Sequence, residues 1–310
     1  MLKDLFSFSN YGLEYTTKFY ARTDSVGVLD DAGNEALLAE QYGNVIDIYQ
    51  KKSGVARVKA QGVGDPGAGS MVFHRFQNAI VNDYGTARTV GEGDELLDDQ
   101  VTVNLNTHKE IVEELEMFDV KHYGIGNLMQ RRSPNHAMRM MAHLDRAALT
   151  AAKTAAATAS QNTDVTYPNG TTPDYLDLLE QVALKVETVS NDYVDGVDRS
   201  QIVVFLKPSI YSKVQSSLDK VYAYDGNSGM VEVPGYHGFQ VISEHYLPSD
   251  TDFIATVVGN IAQPVYSDGY VDGGRIKLSN AYEVSLFFDY GTTILAPDLV
   301  FEGEFSEASA

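Results

Sequence analysis

MVFHRF (71–76) and VTVNLNTHKEI (101–111), separated by a polar run holding GEGDE (91–95), are the stretches on which the reading of this chain turns. MVFHRF alternates in a β-like way, and Val101, Val103 and Leu105 alternate with Thr102 and Asn104. Period two is the mark of a strand with one face buried. The intervening residues are polar: Asp83, Tyr84-Gly85, Gly91-Glu92-Gly93 and an Asp/Glu cluster over 94–99. Two strands joined by so long an excursion predict a protruding two-stranded arm, because long loops inside compact domains are uncommon and usually functional.

Toward the N-terminus, AQGVGDPGAGS (60–70) is Gly/Pro-rich and reads as a loop. Leu37, Leu38, Tyr42, Ile46 and Ile48/Tyr49 recur at helical spacing from Asn34 to about Lys52, with Gly54 as the stop. Residues 1–32 scatter Phe6, Phe8, Tyr11, Tyr15, Phe19 and Tyr20 without a period. Such a segment cannot bury itself, so it is either unfixed or laid along another surface, such as another subunit.

Toward the C-terminus, residues 109–129 alternate and then turn into a short helix. Ser133 and Pro134 read as the cap and first position of a long helix reaching about Ala159, Ala-rich in its second half. After a linker at 160–170, Thr172-Pro173 opens a helix to about Ser190, striped by Tyr175, Leu179, Val182, Val186 and Val189. IVVFL (202–206) is a buried-type strand running into Pro208 and a helix. Residues 230–248 and 252–260 are β-rich, and 282–305 read as long terminal strands.

Composition removes whole classes of function. Of 310 residues, 23 are Lys or Arg and 43 are Asp or Glu, a net charge of −20. Nucleic-acid affinity rests on clustered cations, so this chain is a poor sequence-independent DNA binder and is repelled by anionic membranes. There is no Cys, which excludes disulfides, thiolate nucleophiles and Cys-ligated metals. MLKDLFSFSN lacks the apolar core of a signal peptide, and Lys153 with several Thr breaks the Ala run, so the expectation is a soluble cytosolic protein without a membrane span.

No motif assembles a catalytic centre. His136 and His143 lie seven apart on one helix face, but neither HExxH nor His-x-His occurs. GVGDPGAG (62–69) lacks the Gly-Lys-Ser/Thr of a phosphate loop and reads as a linker. NDYVDGVD (191–198) lacks calcium-loop spacing and reads as a helix-to-strand turn. Glu110, Glu113, Glu114, Glu116 and Asp119 crowd together as an acid–base pair requires, yet such a run is normally a solvated face or a contact with a partner. G-x-S-x-G is absent. Catalytic, metal and cofactor assignments are therefore none.

The order of these elements resembles the major capsid proteins of tailed bacteriophages, the Hong Kong 97-like fold, over nearly the whole sequence. MVFHRF…GEGDE…VTVNLNTHKEI is similar to the extended loop and its return, HAMRMMAHLDRAALTAA (136–152) to the spine helix, and VVFLKPSIYSKVQ with VPGYHGFQVISEHYLP to the axial domain. The resemblance implies an α+β fold: an N-terminal arm and helix (1–52), an extended β-hairpin loop (53–107), a peripheral domain (108–160 and 276–310) with its spine helix at 134–159, and an α/β axial domain (161–275). It implies a non-enzymatic head protein in the virion, assembled in the host cytoplasm. Hexamers and pentamers of one polypeptide enclose double-stranded DNA that is not specifically bound. A scaffolding protein, a portal and a decoration protein are the implied partners, with no cofactor and no membrane.

On this reading the acidic loop tip, Glu92, Asp94 and Glu95, meets basic groups of an adjacent subunit, with Arg131, Arg132 and Arg139 as candidates. Some family members crosslink through a loop lysine; no Lys lies between Lys59 and Lys109, so assembly is expected to be non-covalent. Others begin with a long helical scaffolding segment; only about 70 residues precede the loop, so a separate scaffold is expected. The alternatives are an encapsulin-like compartment shell and, from another class, a soluble carbohydrate-active enzyme using the 110–119 carboxylates or a binding module built on the 19 Tyr.

Overall fold

Alternation in 71–76 and 101–105 produces an antiparallel pair, β1 (Ser70–Phe76) and β2 (Asp98–Asn104), in which Phe73 faces Val101 and Met71 faces Val103. The computed structural model describes residues 41–42, 45, 48–49, 52–76, 78, 98–222, 234–236 and 238–308. The expected N-terminal arm and the loop tip with Glu92, Asp94 and Glu95 lie outside the described residues.

Further along there follow β3 (Thr107–Glu116), α1 (Met117–Tyr123), α2 (Ile125–Thr158), β4 (Val165–Tyr167), α3 (Tyr175–Glu187), β5 (Ile202–Leu206) and α4 (Pro208–Tyr222). Next come β6 (Pro234–Tyr236), β7 (Phe239–Ser243), β8 (Phe253–Val257), β9 (Ile261–Ala262), β10 (Val265–Arg275) and β11 (Ala281–Tyr290). The terminal pieces are β12 (Thr293–Ile294), β13 (Phe301–Gly303) and β14 (Phe305–Glu307). These elements form two compact units. One holds the described residues up to Ser53 with Asn106–His143 and Val265–Tyr290; the other holds the described residues of 54–105, 144–264 and 291–308.

In the first unit, β10, β11 and β3 form an antiparallel sheet in that order. Leu115 and Val284 on this sheet bury against Val120, Ile125 and Met129 of α1 and α2. The sequence places the start of α2 at Pro134; the structure starts it at Ile125, with Pro134 inside the helix. A proline removes the N–H that would serve the carbonyl four residues back, Gln130. The Ser133 hydroxyl, with one proton to donate, lies 3.4 Å from that carbonyl and 3.3 Å from Gln41 Oε1. Burial of Ile125, Met129, Ser133 and Ala137, four apart, holds the extra turns.

In the second unit, five strands run in the order β13-β8-β5-β7-β6, with β5 parallel to β7 and antiparallel to β8. Ile202, Val204 and Leu206 of β5 pack against Leu179, Val182 and Val186 of α3 and Ile210 and Val214 of α4. Val203 and Phe205 point the other way, onto Ala148, Leu149, Ala152 and Ala156 of α2. Both faces of β5 are covered, which is why its sequence is continuously apolar. The small Ala side chains let the helix seat closely on Phe205.

Three expectations shift. Asp174, whose carboxylate accepts the Leu176 N–H at 3.0 Å, caps α3 rather than Thr172. The terminal strands break at Gly291, where an added Cβ would lie 2.1 Å from the Asn104 carbonyl oxygen, leaving one long strand and three short ones. β10 has no counterpart in the sequence reading, because Gly269, Gly273 and Gly274 interrupt its alternation.

Candidate assembly site

β3 sorts the acidic run by its pleat. Glu110, Glu114 and Glu116 are exposed on one face, while Ile111, Glu113 and Leu115 turn to the other. Glu113 is thus the carboxylate of this strand that meets α2. It accepts from Arg132 Nε and Nη2 at 3.1 and 2.5 Å and from His136 Nε2 at 2.9 Å. Burial pushes the Glu113 carboxyl upward, but the hydrogen bonds and charge of Arg132 and His136 outweigh it and hold the group below the ordinary carboxylate range.

The ionised Glu113 only accepts, so His136 Nε2 carries the proton it donates, while Nδ1 lies 2.7 Å from the Tyr270 hydroxyl. Tyr270 stays protonated: burial, then the nearby Glu113 charge, raise it far above its usual value. His136 is 1% exposed. His143, two turns on, meets the Tyr290 hydroxyl through Nε2 at 2.9 Å. The two histidines share a face as their spacing predicts, and each is bonded to a sheet tyrosine. Among the described residues no group of three His, Cys, Asp or Glu is placed to hold a metal ion.

The three candidate arginines separate. Arg132 is tied to Glu113. Arg131 and Arg139 are exposed with Met138, and the Arg131 guanidinium lies 6.0 Å from the Tyr123 ring centre. Beside it, α1 exposes Phe118 at 62% and Tyr123 at 51%, with Phe118 stacked on His122 at 4.6 Å. Sequence reasoning missed this cationic–aromatic surface; the signal was MFDVKHY, in which His122 and Tyr123 follow Phe118 by four and five residues.

In the second unit the base of the hairpin is fastened. Phe73 and Val103 bury with Ala262. Arg75 donates to the Leu295 carbonyl at 3.0 Å, and its guanidinium stacks 3.4 Å above the Tyr193 ring. The Asn78 N–H donates to the Asp192 carbonyl at 3.0 Å. NDYVDGVD is therefore a turn that grips β1. Deeper in this unit, Glu244 is buried and accepts the Tyr246 N–H at 3.2 Å. Burial raises its pKa, partly offset by backbone N–H groups. Among the described residues no helix is long and apolar enough to cross a membrane.

No family model and no curated protein matches the sequence. Solved structures do. A capsid structure of the cyanophage P-SCSP1u is similar over 81% of this chain and 86% of that one, at 12% identity and a TM-score of 0.54. A virus-like particle from Pyrococcus furiosus is similar over 86% and 99%, at 10% identity and 0.53. A structure from Microbacterium phage Oxtober96 is similar over 82% and 91%, at 12% identity and 0.51. This protein has the fold found in those capsid and particle structures.

Proposed function

We propose that the protein is a non-enzymatic major capsid (head) protein of Hong Kong 97 type, assembling non-covalently as pentamers and hexamers into an icosahedral shell around double-stranded DNA. The observation that carries this reading is the fold, shared across 81% of the sequence with a cyanophage capsid structure. Head-to-tail contacts between identical subunits generate rings where the rotation between them closes. In this reading 1–52 are arm and helix, 53–107 the extended loop, 108–160 with 276–310 the peripheral domain, and 161–275 the axial domain. The tip residues Glu92, Asp94 and Glu95 of one copy meet Arg131 and Arg139 of the next, with Phe118 and Tyr123 adding the aromatic area that interfaces favour. Arg132, half exposed and bonded to Glu113, is the third candidate for that role.

The net charge of −20 suits a container wall that releases its genome. Scaffold, portal and decoration proteins are the partners this reading brings, with assembly in the host cytoplasm and the virion as destination. Electron microscopy and size-exclusion chromatography of the purified protein, alone and with its scaffold, test it. Rings or particles are expected; a stable monomer under all conditions overturns it. A second reading, a compartment shell, draws on the likeness to the virus-like particle over 99% of that protein's length. Particle contents, DNA or cargo protein, separate the two.

A further inference from the structure

Asn169-Gly170 is the single Asn-Gly pair in the sequence. Both residues are exposed, at the centre of a turn closed by the Thr171 N–H and hydroxyl donating to the Pro168 carbonyl at 3.2 and 2.6 Å. Gly170 has φ +75° while Asn169 does not have positive φ, the pattern of a type II turn with glycine at its third position. Without a side chain on Gly170, its nitrogen is open to the Asn169 carboxamide. That nitrogen has a partner from far along the sequence: its N–H donates to Glu307 Oε1 at 2.5 Å. Glu307 closes β14, which runs parallel to β4 with Glu307 opposite Tyr167, and the Ala308 N–H donates to the Tyr167 carbonyl at 2.9 Å.

We propose that Asn169 is a deamidation site whose rate is set by Glu307. In the reaction the Gly170 nitrogen attacks Asn169 Cγ. The new bond from nitrogen to Cγ closes a five-membered imide, the Cγ–Nδ2 bond of Asn169 breaks, and ammonia leaves with the proton from Gly170. Water then opens the imide at either carbonyl, giving aspartate or isoaspartate. Water is the only co-reactant. Attack requires the Asn169 backbone to rotate out of the turn until Cγ lies over the nitrogen. The Glu307 carboxylate opposes this by holding the N–H, with the strength of a charge-assisted hydrogen bond. Once formed, the product carboxylate lies next to the peptide group that Glu307 holds. Like charge then loosens the β4–β14 join, and isoaspartate also lengthens the backbone of the turn.

The test is incubation of the full-length protein at mildly alkaline pH, followed by proteolysis and mass spectrometry of the Asn169 peptide. The wild type is expected to convert far more slowly when native than in denaturant. Glu307→Ala is expected to convert faster than wild type by on the order of tenfold, the effect of losing one charged hydrogen bond. Asn169→Gln should show no conversion at this position. Circular dichroism confirms that Glu307→Ala remains folded; should it not, Glu307→Gln, which keeps an acceptor of lower strength, is expected to fall between. Equal rates in native and denatured protein, or no acceleration in the folded Glu307 variants, overturn the proposal.

Discussion

Glu113 is the residue on which the first unit's polar chemistry converges, since Arg132, His136 and, through the imidazole, Tyr270 all orient toward it. Its depressed pKa means that it stabilises the fold above the unfolded glutamate value of about 4.3, and that this contribution is lost as pH falls through the lower folded value. Thermal unfolding of wild type should therefore weaken over that acidic window, and Glu113→Gln should flatten the dependence while lowering stability at neutral pH. Glu244 has the opposite sign. Its raised pKa gives a contribution that is full below about 4.3 and lost as pH rises through the folded value. Glu244→Gln should gain on wild type as pH rises, read as a difference in midpoint that widens from acid to neutral. No gain on raising the pH would count against a buried carboxylate that its backbone N–H partners offset only in part. The pairing of Glu113 was only half legible. Strand alternation turns it inward, but its partners lie 19 and 23 residues away on a helix, and Tyr270 lies 134 residues from His136. Nothing local announces such a meeting.

Elements with one strong period were legible from the sequence. IVVFL became a strand buried on both faces, and the stripe of α3 became a core contact. Where a local rule competes with packing, the sequence misled. Ser133-Pro134 has the form of a helix start, yet burial of Ile125 and Met129 extends α2 through it. Pro134→Ala should stabilise the protein, by up to about 3 kcal/mol, by restoring an N–H to the Gln130 carbonyl. Ser133→Ala should cost about 1 kcal/mol, because it removes a donor shared between the Gln130 carbonyl and Gln41 Oε1. In the double variant the serine loss should shrink, since the restored N–H already serves that carbonyl. Urea unfolding of the three variants reads all of this, and equal serine effects in both backgrounds would sever the link between the two residues.

At the scale of the whole molecule, Arg131, Arg132 and Arg139 of α2 divide into one tied to Glu113 and two others that the proposed assembly would set against a neighbour. Under the proposed assembly, Arg131→Glu with Arg139→Glu should leave the thermal midpoint close to wild type and reduce rings and particles several-fold, with a dependence on salt typical of exposed charge. Arg132→Glu should instead lower the midpoint, because it sets two carboxylates together. The reverse pattern, assembly lost only with Arg132, would reassign the contact. Element order was the most legible property of all, enough to expect a capsid-type fold. The glycine-broken β10 was the part it could not supply, since glycine leaves no alternation to read.

The hydroxyls of Tyr270 and Tyr290, each hydrogen-bonded to an imidazole, give the molecule a built-in optical reporter. The sequence has no Trp, so its ultraviolet emission comes from tyrosine alone, and a phenol bonded to a ring nitrogen emits weakly. Opening of the first unit would brighten the sample without any dye or label.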